Sequence, residues 1–196
     1  LRIMSQRPSE GIPPSDANIL VIDYRRQLLG ECPATHLAGY ASTKQDVQEF
    51  ISQLVPLLES RMPAGVDDPQ TLRDRSWWKG PDIFLVVDDY DLVATSSGNP
   101  LQGLLELLPY GRDIGLHMVV ARRCTGFSRT SFEPIMARLR ELHPTIFLMS
   151  GTAEEGIIAG GRKVRSLSKG RADVISNQGT HQVVQFAHHV GEEKTE

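Results

Sequence analysis

Residues Ile83–Val93 read IFLVVDDYDLV, five apolar residues running straight into two aspartates. An apolar run of this length is a strand buried on both faces, as in a parallel sheet with helices on each side. Open α/β sheets bind ligands outside the carboxyl ends of their strands, which is where Asp88 and Asp89 fall. Short apolar runs are common, so the pattern alone fits equally a buried strand that ends in a polar turn. Its surroundings have to decide.

Outward from this run, strands and helices alternate. Upstream, Asn18–Asp23 (NILVID) is a second short apolar strand ending in an aspartate. Thr43 opens a helix to about Arg61, with Asp46 as capping-box partner. Val47, Phe50, Ile51, Leu54, Leu57 and Leu58 recur at helical spacing, and Pro56 predicts a kink. Pro63–Pro69 is a loop rich in Pro, Gly and Asp, followed by Trp77-Trp78. Downstream, Asn99-Pro100 reads as the N-cap and first residue of a helix ending near Leu108. Leu116–Ala121 is a further buried strand, and Ser131–Leu142 an amphipathic helix with Phe132, Ile135, Met136, Leu139 and Leu142 on one stripe. Thr145–Met149 is another strand. Ala172–Ser176 and Gln182–Phe186 read as a closing hairpin around Asn177-Gln178-Gly179. Strands separated by helices predict an α/β fold with a mostly parallel, doubly covered sheet.

Length and composition suit one ordinary globular domain, expected over 1–190, with 191–196 as a tail. A chain of 196 residues, 40% hydrophobic and 23% charged, can bury a full core. A formal net charge of −3 exerts no global pull on nucleic acid or an acidic membrane. No apolar run approaches membrane-span length, and no signal peptide opens the chain. Cys32 and Cys124 lie far apart and near no histidine cluster, which points to reduced thiols in a cytosolic protein, with a disulfide left open. No metal-ligand spacing is present.

A phosphate-binding loop of the form Gly-x-x-x-x-Gly-Lys-[Ser/Thr] does not occur in the sequence. That loop cradles phosphates with backbone N–H groups while its lysine reaches the terminal oxygens. Gly160-Gly161-Arg162-Lys163 has the wrong spacing and reads as a loop or helix C-cap.

SWWKGPDIFLVVDDYDLV (Ser76–Val93), LLPYGRDIGLHMVVARR (Leu107–Arg123) and KGRADVISNQGTHQVVQFAH (Lys169–His188) together resemble the last ATPase domain of the EccC proteins. These are FtsK/SpoIIIE-type P-loop motors of type VII secretion. The double Trp combined with DDYDLV carries the resemblance. It implies a RecA-like P-loop NTPase fold in which the 83–88 strand is the Walker B strand. Asp88 would hold magnesium through water, and Asp89 and Arg122 would face the nucleotide, so ATP and Mg2+ are the implied cofactors. In motors of this order the P-loop precedes the first strand seen here. Leu1–Met4 would then stand where the Walker A helix ends, and the expectation is a chain that starts just after its own P-loop.

The resemblance also implies ATPase modules strung in a row at the cytoplasmic face of the membrane and tethered to a translocon. The last module is implicated in docking the C-terminal export signal of small WXG-type substrates. For that partner the 132–142 stripe offers a groove, with Phe132, Ile135, Met136 and Leu139 as contacts, although the stripe is most simply a core face. Departures from the motor pattern point to weak or absent hydrolysis. Asp89 stands where hydrolysing relatives carry glutamate, and a carboxylate displaced by about 1 Å can cost about a hundredfold in rate. Arg122-Arg123 replaces a Gln ahead of an Arg. Pro144-Thr145-Ile146 and Thr152-Ala153-Glu154 lack two arginines of the shared site, a class of residue contributing about 10³–10⁵ where it operates.

Other residues have plainer readings. His117 is expected to be a hydrogen-bonded core histidine, and His188-His189 to be solvated. Trp77-Trp78 is read as packing on the sheet rim in preference to lining a partner surface. Arg122, Arg123 and Arg129 suit an anion or the carboxylates of a neighbouring module. The alternatives to a recognition module are an active ATP-hydrolysing motor and an FtsK-like DNA translocase. The acidic net charge and the lack of a basic, aromatic-interleaved stripe count against nucleic acid.

Overall fold

The computed structural model describes residues 12–127, 132–152 and 156–186. Expectations placed on Leu1–Met4, Arg129, Ser131, Ala153–Glu154, His188-His189 and the tail lie outside them. The chain divides into two compact units, Leu1–Arg123 and Cys124–Glu196.

The first unit is a parallel sheet in the order β2-β1-β3-β4, built from β1 (Ala17–Ile22), β2 (Leu37–Ala41), β3 (Asp82–Val87) and β4 (Leu116–Val120). The decisive run is β3, which pairs with β1 and β4 and buries Ile83, Leu85, Val86 and Val87. Because both faces are covered, its apolar residues do not alternate with polar ones. One face carries Ile19, Val21 and Val86, on which Leu28 and Cys32 of the β1–β2 connection pack. The face carrying Leu20 meets α1 (Lys44–Glu59) where Phe50 lies over Gly39; a Cβ at Gly39 would stand 2.6 Å from that ring.

Helix α1 begins as its sequence dictates. Thr43 and Asp46 form a reciprocal capping box, and Val47, Ile51, Leu54 and Leu58 are buried. Pro56 is accommodated inside it. β2 and the short α2 (Pro69–Asp74) were not expected, since LAGYA has a central glycine and no β-branched residue to mark a strand. The helix expected from Pro100 to Leu108 is instead two 3₁₀ segments, Pro100–Leu104 and Leu108–Tyr110. Gly103 in the first of them faces α1, where a Cβ would meet Ile51 and Val55 at 3.2–3.3 Å.

β4 departs from a fully buried strand. Only Leu116 is buried, while His117–Val120 are intermediate, because among the described strands β4 pairs with β3 alone. His117 is hydrogen-bonded as expected, through Nε2 to Asp82 at 2.9 Å. It stacks on Phe84 at 4.6 Å but is part-exposed, not core.

The tryptophans pack on the rim at the amino ends of the strands. Trp77 Nε1 donates to the Arg61 carbonyl and Trp78 Nε1 to that of Asp113. Arg61, 4% exposed, donates to the carbonyls of Ile114 and Pro81 and lies 4.2 Å over the Trp78 ring. Gly115 turns the chain there at φ 71°, and a Cβ would stand 2.6 Å from both Trp78 and Asp82.

The second unit has α4 (Pro134–Glu141), the antiparallel sheet β5-β8-β9 and a small hairpin, β6 with β7. The strands are β5 (Ile146–Leu148), β6 (Ile157–Ala159), β7 (Arg162–Lys163), β8 (Arg171–Ile175) and β9 (His181–Gln185). Leu148, Ile158, Val164 and Ile175 form its apolar centre. The expected closing hairpin is β8–β9. Gly160-Gly161 is the tight turn between β6 and β7, both at positive φ, so the helix C-cap reading of this cluster is replaced by a hairpin turn. Both cysteines are free thiols.

Candidate functional site

Register brings a set of charged residues to the carboxyl edge of the first sheet. Ile22 pairs with Val87 and Val87 with Val120, so β1, β3 and β4 end level. Asp23 and Asp88 therefore emerge side by side, with the Asp88 N–H donating to the Ile22 carbonyl at 2.9 Å. The Tyr90 N–H reaches the Ala121 carbonyl at 2.9 Å, which sets Arg122 beside the turn after β3.

Asp88 is half-buried, and one oxygen accepts the Asp89 N–H at 3.0 Å. Burial pushes its carboxyl above the ordinary carboxylate range, and the nearby charges of Asp89 and Asp23 push the same way. Asp89 takes a left-handed backbone, φ 45°, at the position before a single helical turn, α3 (Tyr90–Val93), without a side-chain capping bond to it. Few non-glycine residues accept that conformation, and aspartate is one of them. Its carboxylate meets the Arg25 guanidinium at 3.1 Å.

Arg122, assigned to the nucleotide from sequence, is 10% exposed at its side chain and donates to Asp91 at 2.7 Å. The Arg123 N–H donates to the second oxygen of Asp91 at 3.0 Å. Asp88, Asp89 and Arg122 thus stand at one edge of one sheet, as expected, but Asp89 and Arg122 are engaged by internal partners.

Two participants were missed in the sequence. Asp23, 1% exposed, accepts from the N–H groups of Arg25 and Leu28 and from the Tyr40 hydroxyl, the last at 2.7 Å. Burial and that carboxylate raise the Tyr40 phenol well above its usual range. The signal was available: NILVID repeats the grammar of the Ile83–Asp88 run, an apolar strand ending in Asp. Arg25, by contrast, follows no pattern.

The chemistry fits magnesium in a limited way. Asp88 has an oxygen with no hydrogen-bond partner among the described residues, as a carboxylate that touches a hydrated cation needs. Asp23 has spent its oxygens on the loop, and no group of three or more candidate ligands is assembled among the described residues.

The residues assigned to a partner lie on and before α4. Glu133 caps the helix by accepting the Met136 N–H. Ile135 is fully buried and Met136 7% exposed, whereas Phe132 is 83% exposed and Leu139 is intermediate. Phe132 lines an open groove of about 360 Å³ together with Ala137, Arg140, Glu141 and His143. The stripe is therefore divided, with Ile135 and Met136 turned inward and Phe132 outward.

No family model matches the chain. It is 48% identical over 171 residues to the ESX-4 secretion system protein EccC4 of Mycobacterium tuberculosis, a match covering 87% of this chain and 14% of that protein. To the ESX secretion system protein EccC of Thermomonospora curvata it is 39% identical over 188 residues, 96% of this chain and again 14% of the relative. The chain thus spans about a seventh of the length of these relatives. Among solved structures, the cytoplasmic domain of the Thermomonospora curvata type VII secretion ATPase EccC superposes with a TM-score of 0.90 at 38% identity, over 95% of this chain and 22% of that one. The same values of score, identity and coverage of this chain hold for Thermomonospora curvata EccC (ATPases 2 and 3) in complex with a signal sequence peptide, 34% of which is covered. No helix among the described residues is long and apolar enough to cross a membrane. With 39–48% identity over most of its length and a parallel sheet carrying the DDYDLV edge, this chain belongs to the EccC family of type VII secretion ATPases.

Proposed function

We propose that this chain is the last ATPase-fold module of an EccC protein and recognises the C-terminal export signal of small WXG-type substrates with little or no ATP hydrolysis. Residues 1–190 act in this reading as one domain and 191–196 as a tail. The module works at the cytoplasmic face of the membrane, beside its sister modules and the translocon. What supports the hydrolysis part is that Asp89, already one methylene short, is paired with Arg25, and Arg122 is tied to Asp91. A water-orienting carboxylate in an ion pair is a poor base. ATP and Mg2+ are the cofactors this reading carries over from the family, with Asp88 as the carboxylate that would face the cation.

The observation that carries the recognition part is the outward face before α4. Phe132, 83% exposed, stands over an open groove that Arg140, Glu141 and His143 edge with polar groups. A relative of 38% identity is described in complex with a signal sequence peptide. An apolar anchor with a polar rim suits a short amphipathic tail. Each buried aliphatic contributes about 1.5–3 kcal/mol before association costs, which points to micromolar affinity.

The test is a pair of variants followed by fluorescence polarisation of a labelled tail peptide and by thermal melting. Phe132→Ala should weaken binding by about tenfold or more with an unchanged melting temperature. Ile135→Ala should destabilise by about 2–5 kcal/mol, because it empties a core position. Unchanged peptide affinity in Phe132→Ala removes the groove from the docking surface.

A further inference from the structure

We propose that the groove beside α4 holds the free C-terminal carboxylate of the peptide it receives, through Arg140 and His143. The inference rests on the reading of this groove as the export-signal site and adds which chemical group of the signal it recognises.

The charged residues of the groove are not equivalent. Glu141 meets Arg138 of the same helix at 2.9 Å, so the acidic group on the rim is already neutralised. Arg140 and His143 line the groove with no carboxylate partner among the described residues. The Arg140 guanidinium lies 5.8 Å from the centre of the Phe127 ring, and Phe127 packs against the apolar centre of the unit. A cation over an aromatic face is held in place while its N–H groups stay available, and their planar fork matches a carboxylate. His143 gives an independent sign. It follows Leu142, the C-cap of α4, in the left-handed region at φ 50°, with its N–H donating to the Arg140 carbonyl at 3.1 Å. Glycine is the usual residue at that place, because a Cβ is strained there. Histidine bears that strain at the edge of a groove, where its ring can donate an N–H in either protonation state.

Size selects the source of the carboxylate. A groove of about 360 Å³ is at the small end of ligand sites and takes the end of a chain more readily than several turns of helix. A chain end carries an apolar side chain and a carboxylate on the same residue. That pairing fits exposed Phe132 as the apolar contact and two nitrogen donors beside it. The last carbonyls of α4 bear partial negative charge, so a carboxylate next to them needs Arg140 and His143 to offset the repulsion. Capture of a chain terminus by clustered donors is a recurring mode of peptide recognition.

The intact chain is titrated into a C-terminal peptide of a WXG-type substrate, labelled at its N-terminus with fluorescein, and polarisation is followed. The peptide is made as the free acid, as the C-terminal amide, and as the free acid with its acidic side chains changed to amides. The wild type should bind the free acid at least about fivefold tighter than the C-terminal amide. The form with amidated side chains should bind like the free acid. Arg140→Gln should bind acid and amide alike, at the wild-type affinity for the amide. His143→Gly should weaken binding of the free acid by about threefold while its melting temperature stays level or rises, since glycine relieves the left-handed backbone. Equal wild-type affinity for acid and amide overturns the proposal, and if that shared binding falls in Phe132→Ala the groove keeps its place in recognition. A preference for the acid that survives in the double variant Arg140→Gln/His143→Gly overturns it as well. So does weakening by the side-chain changes alone, which would make a side-chain carboxylate the group that is read. Binding of none of the peptides overturns this inference together with the recognition reading.

Discussion

Asp173 in β8 ties two other segments of the second unit to its own strand. It is 2% exposed, accepts both Nε and Nη2 of Arg165 at 2.7 and 2.8 Å, and also meets His181 Nε2 at 3.0 Å. The Arg165 guanidinium holds its carboxyl far below the usual range, with the His181 hydrogen bond acting the same way, against the opposing effect of burial. A carboxylate whose folded pKa is depressed takes up protons first in the unfolded chain. Its contribution is therefore complete above the ordinary carboxylate pKa of about 4 and is lost as pH falls below it. Asp173→Asn should lower the melting temperature by about 5 °C or more at pH 7. The difference from wild type should shrink in melts repeated toward pH 3, and a constant difference would contradict the ion-pair account. Sequence offered no route to this cluster, because Arg165 lies in the connection between β7 and β8 and meets Asp173 only through the fold. Asp88 and Asp89 were legible, by contrast, because a strand's own direction places the residues that end it.

At the scale of elements, readability followed how far each signal was local. The Thr43–Asp46 box is local chemistry, and α1 starts there. The five-residue apolar run became β3 because length and burial agree. β2 was invisible, since LAGYA is a strand chiefly through its parallel pairing with β1. The 100–108 segment had helical punctuation and formed 3₁₀ turns instead, with Gly103 brought against α1 too closely for a side chain. Helix α4 was placed correctly in kind, but it starts at Pro134, so Phe132, read as part of its stripe, precedes the helix and is exposed while Ile135 within it is buried.

For the whole molecule, the family assignment rests on identity across most of the chain, and the proposed loss of motor activity rests on several sites acting together. If so, repairing one of them should do little. Asp89→Glu should leave steady-state ATP hydrolysis within about twofold of the unmodified chain, since parts that act as a unit are not restored singly. A large gain from that change alone would make Asp89 the sole defect. In the proposed reading, recognition of the export signal does not depend on turnover. Titration of the unmodified chain into a fluorescein-labelled C-terminal peptide of a WXG-type substrate, with no nucleotide present and polarisation as the readout, should give a saturable curve with a Kd on the order of micromolar that Mg-ATP leaves in place. A flat curve through millimolar protein, or binding that appears only with Mg-ATP, would contradict it.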